Sequence, residues 1–180
     1  MTRVVLTEAA EQACDDIRLL QAQHVRASNG RHHPPSGRTP GFEPTVVERT
    51  RQLTLTTIVA VAEHFSAGRL RLVPGVSEND TFGWPNQEKA WKDRAQLELG
   101  TLPTYSAFRG FNEARNAIMH GRGALTPRQL DPSNAAKTRA WLTAALIKTV
   151  RHRLIIVDAD VDRCADVCVS FVQQLDKAAP

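Results

Sequence analysis

Pro103-Thr104-Tyr105-Ser106-Ala107-Phe108-Arg109-Gly110-Phe111-Asn112-Glu113-Ala114-Arg115-Asn116-Ala117-Ile118-Met119-His120-Gly121 is the stretch on which the reading of this chain turns. Pro103 and Thr104 suit the opening of a helix, and Gly121 and Gly123 its close. At about 100° per residue, Arg109, Asn112, Glu113, Asn116 and His120 form one polar stripe. Phe108, Phe111, Ala114, Ile118 and Met119 fill the opposite side, and Arg115 projects beside Phe108, Phe111 and Met119. A guanidinium placed there needs an anionic partner or a route to water. A polar stripe is ordinarily a solvated face. This one is poor in Lys and Glu and holds Asn and His, which are weaker helix formers. His120 falls in the last turn, a position suited to a cation, and reads as a structural cap or as an acid/base group.

The flanking sequence extends the helical pattern in both directions. Thr7 caps a helix over Glu8–Ala27, with Ala13, Ile17, Leu20 and His24 at helical spacing. Thr45 and Glu48 form a capping box before a stretch running to Ser66. Leu53–Val59 alternates like a strand, but length and caps favour a helix stopped by Gly68. Trp84-Pro85-Asn86 opens a helix to about Leu99, and Ser133-Asn134 one through Val150. Arg153–Val157 is the best short extended segment. Asp160 caps a last helix to Lys177, with Val161, Cys164, Ala165, Cys168, Val172 and Leu175 on one stripe. The expected architecture is all-α: one domain over residues 1–180, a bundle of five to six helices, and room for a short β-ribbon before the last. Residues 29–44, rich in Gly and Pro, are expected to form a flexible loop.

Composition narrows the function classes. The 180 residues are 42% hydrophobic, so the chain can build a core without disulfide or metal staples. No apolar run approaches the length of a membrane span, so no membrane partner is expected. Glu8, Glu11, Asp15 and Asp16 follow the start at once, unlike a signal peptide. Three cysteines read as reduced thiols, which implies a cytoplasmic location. The formal charge is +4, and only five of the 23 basic residues are Lys. Arginine forks suit phosphate oxygens, although a GC-rich coding sequence also yields arginine.

Other constellations are weaker. Cys164 and Cys168 read as buried small hydrophobes, and His24, His32, His33 and Cys14 lack zinc spacing. The run from Asp158 to Asp162 begins like a calcium loop, but Arg163 and Val169 stand where Gly and Glu are required. No metal or cofactor is expected. Trp84, Trp91 and Trp141 read as core or interface anchors. Arg151-His152-Arg153 is a basic turn, either a charge complement to a helix end or an RNA-backbone contact.

Arg115-Asn116-Ala117-Ile118-Met119-His120-Gly121 resembles the Arg-Asn-x-x-x-His signature of the HEPN superfamily. Arg153–Asp158, followed by a helix ending Phe171–Asp176, is similar to the RiboL-PSP-like branch. The resemblance implies an all-α, metal-independent endoribonuclease. Such enzymes cleave RNA by 2′-hydroxyl attack, leaving a 2′,3′-cyclic phosphate. His120 would move the proton, Arg115 hold the scissile phosphate and Asn116 orient the imidazole or the phosphate. Arg109, Asn112, Glu113 and Arg122 would contribute to substrate binding. The family habit also implies a homodimer with a composite site, a setting in bacterial defence or a toxin–antitoxin pair, and an antitoxin or defence-complex partner. Some members carry a modifiable Tyr two residues after the His; here that position is Arg122. The alternative is a non-catalytic module of the same fold that binds RNA or a nucleotide or docks a protein. A helix-turn-helix regulator, with a short turn at Gly100–Pro103, is a weaker third reading.

Overall fold

A computed structural model describes residues 5–29 and 44–180. Residues 30–43 of the loop expected at 29–44, His32 and His33 among them, and the Thr45 side chain of the expected capping box lie outside the described residues. The described residues form eight helices: α1 (Glu8–Asn29), α2 (Pro44–Leu70), α3 (Glu78–Thr81), α4 (Trp84–Asp93), α5 (Tyr105–Gly121), α6 (Pro127–Leu130), α7 (Pro132–Ala144) and α8 (Asp158–Ala178). Six are long; α3 and α6 are single turns. Strand β1 (Lys148–Val150) pairs antiparallel with β2 (Arg153–Ile155), Thr149 facing Leu154. The architecture is thus an all-α bundle with a short β-ribbon before the last helix. No helix among the described residues is long and apolar enough to cross a membrane.

Helices α2 and α8 pack together at the centre, α1 lies against both, α5 lies on α2, and α7 covers α5. The apolar stripe of α8 supplies much of the core: Val161, Cys164, Ala165, Cys168, Val172 and Leu175 are all buried. Leu55, Ile58, Val59 and Ala62 face it from α2. Phe108 of α5 stacks on Phe171 of α8 at 4.0 Å, and Trp84 meets Phe108 edge-on at 4.8 Å. Such ring pairs add about 1 kcal/mol each beyond area burial. Trp91 is fully buried and donates its indole N–H to Ser66. Trp84 and Trp91 are therefore core anchors.

Several expected boundaries differ. Helix α2 runs through Gly68 to Leu70, because Leu70 is fully buried and Arg69 reaches Asp176 at 3.5 Å. Together these outweigh the roughly 1 kcal/mol that an interior glycine costs. Helix α4 ends at Asp93, not Leu99. Gln96 turns left-handed (φ 55°), and Leu97 N–H returns to the Trp91 carbonyl, closing the helix end. The segment 94–104, which holds only a single 3-10 turn at Leu99–Thr101, therefore separates α4 from α5, and the helix-turn-helix spacing is lost. Helix α7 begins one residue earlier than Ser133, with Asp131 accepting from Ser133 N–H at 2.9 Å, and ends at Ala144, not Val150. Leu146 adopts a left-handed conformation, and the β-branched Thr149 and Val150 pair with β2 instead. Asp160 is inside α8, where its carboxylate accepts from the Val157 N–H that precedes the helix.

Two close features position the site. A Cβ on Gly110 would meet the Trp141 carbonyl at 2.1 Å and the Ala145 Cβ at 2.6 Å, so the missing side chain sets how closely α5 and α7 approach. Helix α5 ends not in a left-handed glycine but in Arg122 (φ 51°), followed by Gly123. In the β1–β2 turn, Arg151 (φ 46°) and His152 (φ 66°) are also left-handed. That conformation costs a residue with a side chain about 1–2 kcal/mol, which is why Gly and Asn usually occupy it.

Candidate functional site

Helices α5, α6 and α7 with the end of α2 and the start of α4 enclose a cleft of about 660 Å³. Arg109, Asn112, Glu113, Arg115, Asn116 and His120 all line it. The stripe is not a solvated face: Arg109, Asn112 and Glu113 are buried, Asn116 is half-buried, and His120 alone is exposed. Arg115 lies with this group rather than beside Phe108 and Phe111, and Met119 is 56% exposed. The length of the arginine side chain and the presence of Glu63 on α2 account for this placement. Glu63 Oε2 lies 3.5 Å from Arg115 Nη1 and draws the guanidinium round the helix.

The inner end of the cleft is a connected polar network. Arg109 donates to Asn112 Oδ1 at 3.1 Å and to Glu113 Oε1 at 3.3 Å, and its guanidinium carbon lies 4.3 Å from the Trp141 ring centre. Trp141 therefore lines the cleft and is not a core anchor. Asn112 donates to Glu63, and Asn116 to Asn112 Oδ1 at 3.5 Å. Gln129 of α6 donates to both the Glu113 carbonyl (2.8 Å) and Glu113 Oε2 (2.7 Å). A capping box holds Gln129 in place: Thr126 N–H donates to Gln129 Oε1, and Gln129 N–H to the Thr126 hydroxyl. Arg109, Asn112 and Glu113 thus all have internal partners, although Arg109 Nε is itself buried without one.

The outer end is looser. Arg115 meets Glu63 and Asn116 Oδ1, both at 3.5 Å, and its Nε is buried without a hydrogen-bond partner. His120 makes no hydrogen bond or ion pair among the described residues. Burial raises the Glu63 carboxyl above its ordinary range, opposed by Arg115 and by the Asn112 hydrogen bond. At the far lip, Tyr105 donates to Glu88 at 2.6 Å. Burial and that bond hold the phenol protonated far above its ordinary range, so Tyr105 is no base at neutral pH. Arg122 is exposed, one residue past α5, and does not line the cleft.

The arrangement offers a free imidazole, an incompletely bonded guanidinium and an amide on one wall. Those groups can bind an anion and move a proton beside it. Glu63 and Gln129 were not among the residues singled out from sequence. Among the described residues no cluster of three His, Cys, Asp or Glu side chains could hold a metal ion. A second groove, about 770 Å³ between α1 and α2, contains none of the motif residues. Compared with protein-family models, curated proteins and solved structures, the chain matches none.

Proposed function

We propose that the chain is a metal-independent endoribonuclease that cleaves by attack of a ribose 2′-hydroxyl on the adjacent phosphate. The observation that carries the reading is the outer wall of the cleft, where Arg115, Asn116 and His120 line one open space and His120 has no partner among the described residues. Arg115 holds the scissile phosphate and offsets charge building on the phosphorane. Asn116, within reach of Arg115, orients the guanidinium. His120 takes the 2′-hydroxyl proton or gives one to the departing 5′-oxygen. The bond formed is 2′-O to phosphorus and the bond broken is phosphorus to 5′-O, leaving a 2′,3′-cyclic phosphate and a 5′-hydroxyl.

One imidazole cannot act as base and acid at the same instant. A homodimer that brings two cleft rims together supplies both, and Met119, exposed beside His120, suits an apolar contact at that rim. A cytoplasmic defence or toxin setting, with an antitoxin or complex partner holding the cleft in check, is consistent with a nuclease that needs no cofactor.

The test is RNA cleavage in EDTA, wild type beside His120→Ala, with end-group analysis. Wild type is expected to leave cyclic phosphate ends, and His120→Ala to lose cleavage while keeping its melting temperature. Cleavage by the variant would sink the assignment. Salt-dependent RNA binding without products would favour the non-catalytic module.

A further inference from the structure

The cleft is poorly equipped to attract a polyanion. Apart from His120, its ionisable lining comprises four basic groups, Arg109, Arg115, Arg128 and Lys137, and three acidic ones, Glu63, Glu88 and Glu113. Arg109 and Arg115, the two on the catalytic helix, are each matched to one of those carboxylates. Nucleic-acid affinity comes chiefly from cations that neutralise successive phosphates. Those cations must be found elsewhere on the molecule.

They are found just past the end of α5. Two residues after His120, the chain turns at Arg122 and runs beside the β-ribbon. Leu154 N–H donates to the Gly123 carbonyl, Leu125 N–H to the His152 carbonyl, and Ala124 bridges Arg153. The ribbon tip therefore lies against the segment that leaves the catalytic helix. The Arg153 guanidinium reaches within 3.9 Å of where a Gly123 Cβ would stand. Arg122, Arg151, His152 and Arg153 are all exposed, and none forms an ion pair among the described residues. Glu48, on the neighbouring turn of α2, takes its hydrogen bond from Gln52 instead.

Backbone geometry gives a second, independent argument. Arg122, Arg151 and His152 all occupy left-handed positions. A two-residue turn with both central residues left-handed is most readily made by Asn-Gly. Large basic side chains at three such positions, on one corner, are conformationally unfavourable and contribute nothing to internal bonding. Their side chains face solvent, where they are free to meet an anion.

The geometry points to the β-ribbon tip, Arg151-His152-Arg153, with Arg122, as a binding track for the phosphate backbone of single-stranded RNA entering or leaving the cleft. The choice of RNA rests on the nuclease reading; the track rests on the unpaired cations and their backbone. The track sets affinity and salt dependence, while the chemistry stays with His120.

The experiment measures binding apart from cleavage. A fluorescent single-stranded RNA oligonucleotide is titrated by anisotropy into His120→Ala protein, and into the same protein carrying Arg151→Asn, His152→Gly and Arg153→Thr. Asn-Gly suits the turn and Thr suits an exposed strand, so the melting temperature should hold or rise. Affinity is expected to fall about tenfold, and the slope of log K against log salt to flatten by about 1.4, the share of two phosphate contacts on a single strand. Arg153→Gln alone should flatten it by about 0.7. Unchanged affinity and slope, absence of RNA binding by the parent, or equal binding to anionic phospholipid vesicles through the same arginines would overturn the track. RNA that is bound through the ribbon but left intact by wild type would retain the track and remove the nuclease reading. Cleavage and binding indifferent to the ribbon would do the reverse.

Discussion

Arg115 and Glu63 form a contact at 3.5 Å between a half-exposed guanidinium and a nearly enclosed carboxylate. A pair this long is weak as an ion pair but effective as a constraint on where the guanidinium can point. Glu63 is therefore a positioning residue for Arg115, acting through α2 on a group carried by α5. Glu63→Gln keeps an acceptor for Asn112 and removes the charge facing Arg115. Cleavage is expected to slow about tenfold in kcat, with KM changed little, since a misaligned clamp affects the transition state more than binding. The stability change has a defined sign. The raised Glu63 carboxyl holds its proton more tightly folded than unfolded, so its burial costs stability as pH rises through the ordinary glutamate range and the raised native value. Gln escapes that cost. The difference in melting temperature, variant minus wild type, should become more favourable as pH rises above about 4. A flat difference and an unchanged kcat would remove Glu63 from the site. The sequence offered no signal for this residue, because periodicity in α2 reports its core face and not which turn of α5 it meets. Gln129 is similar: Thr126-Pro127-Arg128-Gln129 reads as a cap, and only packing turns its amide toward Glu113.

At the scale of elements, α5 and α7 are the two walls of the cleft, and Gly110 fixes their separation. With the Trp141 carbonyl 2.1 Å from a built Cβ, Gly110→Ala cannot be absorbed by a side-chain rotation, because the obstacle is backbone. Overpacking of this kind costs about 1–3 kcal/mol. For a chain of this length that lowers the melting temperature by roughly 2–12 °C. Arg109, which stacks on Trp141, should lose that contact as α7 shifts. Thermal melts with tryptophan fluorescence check both effects; an unaltered melting temperature would mean the helices have slack the geometry does not show. The existence of six long helices was legible from spacing and caps, as was the buried stripe of α8 from Val161 to Leu175. Helix ends were not. Gly68 looked like a stop but lies inside α2, and residues 145–150 looked helical but turn into a strand. In each case a tertiary contact outweighed local preference: Leu70 in the core for the first, pairing with β2 for the second. Arg115 was misplaced for the same reason, since a wheel assigns directions to Cβ atoms and not to the ends of long side chains.

At the scale of the whole molecule, the three central helices meet at one carboxylate. Asp158, in the first turn of α8, accepts from Arg51 of α2 through two bonds (2.8 and 2.7 Å), lies 2.8 Å from His24 Nε2 of α1, and accepts from Ser28 at 3.2 Å. These bonds outweigh the opposing effect of burial and hold its carboxyl well below the usual aspartate range, Arg51 first and His24 after it. A depressed carboxylate pKa means the unfolded chain takes up protons before the native one does. The stability it confers is complete above the ordinary aspartate value and drains away as pH falls below it. Asp158→Asn keeps the shape but loses the charge that Arg51 requires. The melting temperature of wild type should exceed that of the variant at neutral pH, and the gap should narrow steadily below about pH 4. Melts across that range, read by circular dichroism, measure it directly. A gap independent of pH would show that Asp158 acts by packing alone. A gap that closes would show that α1, α2 and α8 are held by one ionised group at the end of the bundle where α1 ends and α2 begins. The central helix α2 would then carry both devices, Arg51 fixing it to α8 at one end and Glu63 aligning Arg115 in the cleft farther along.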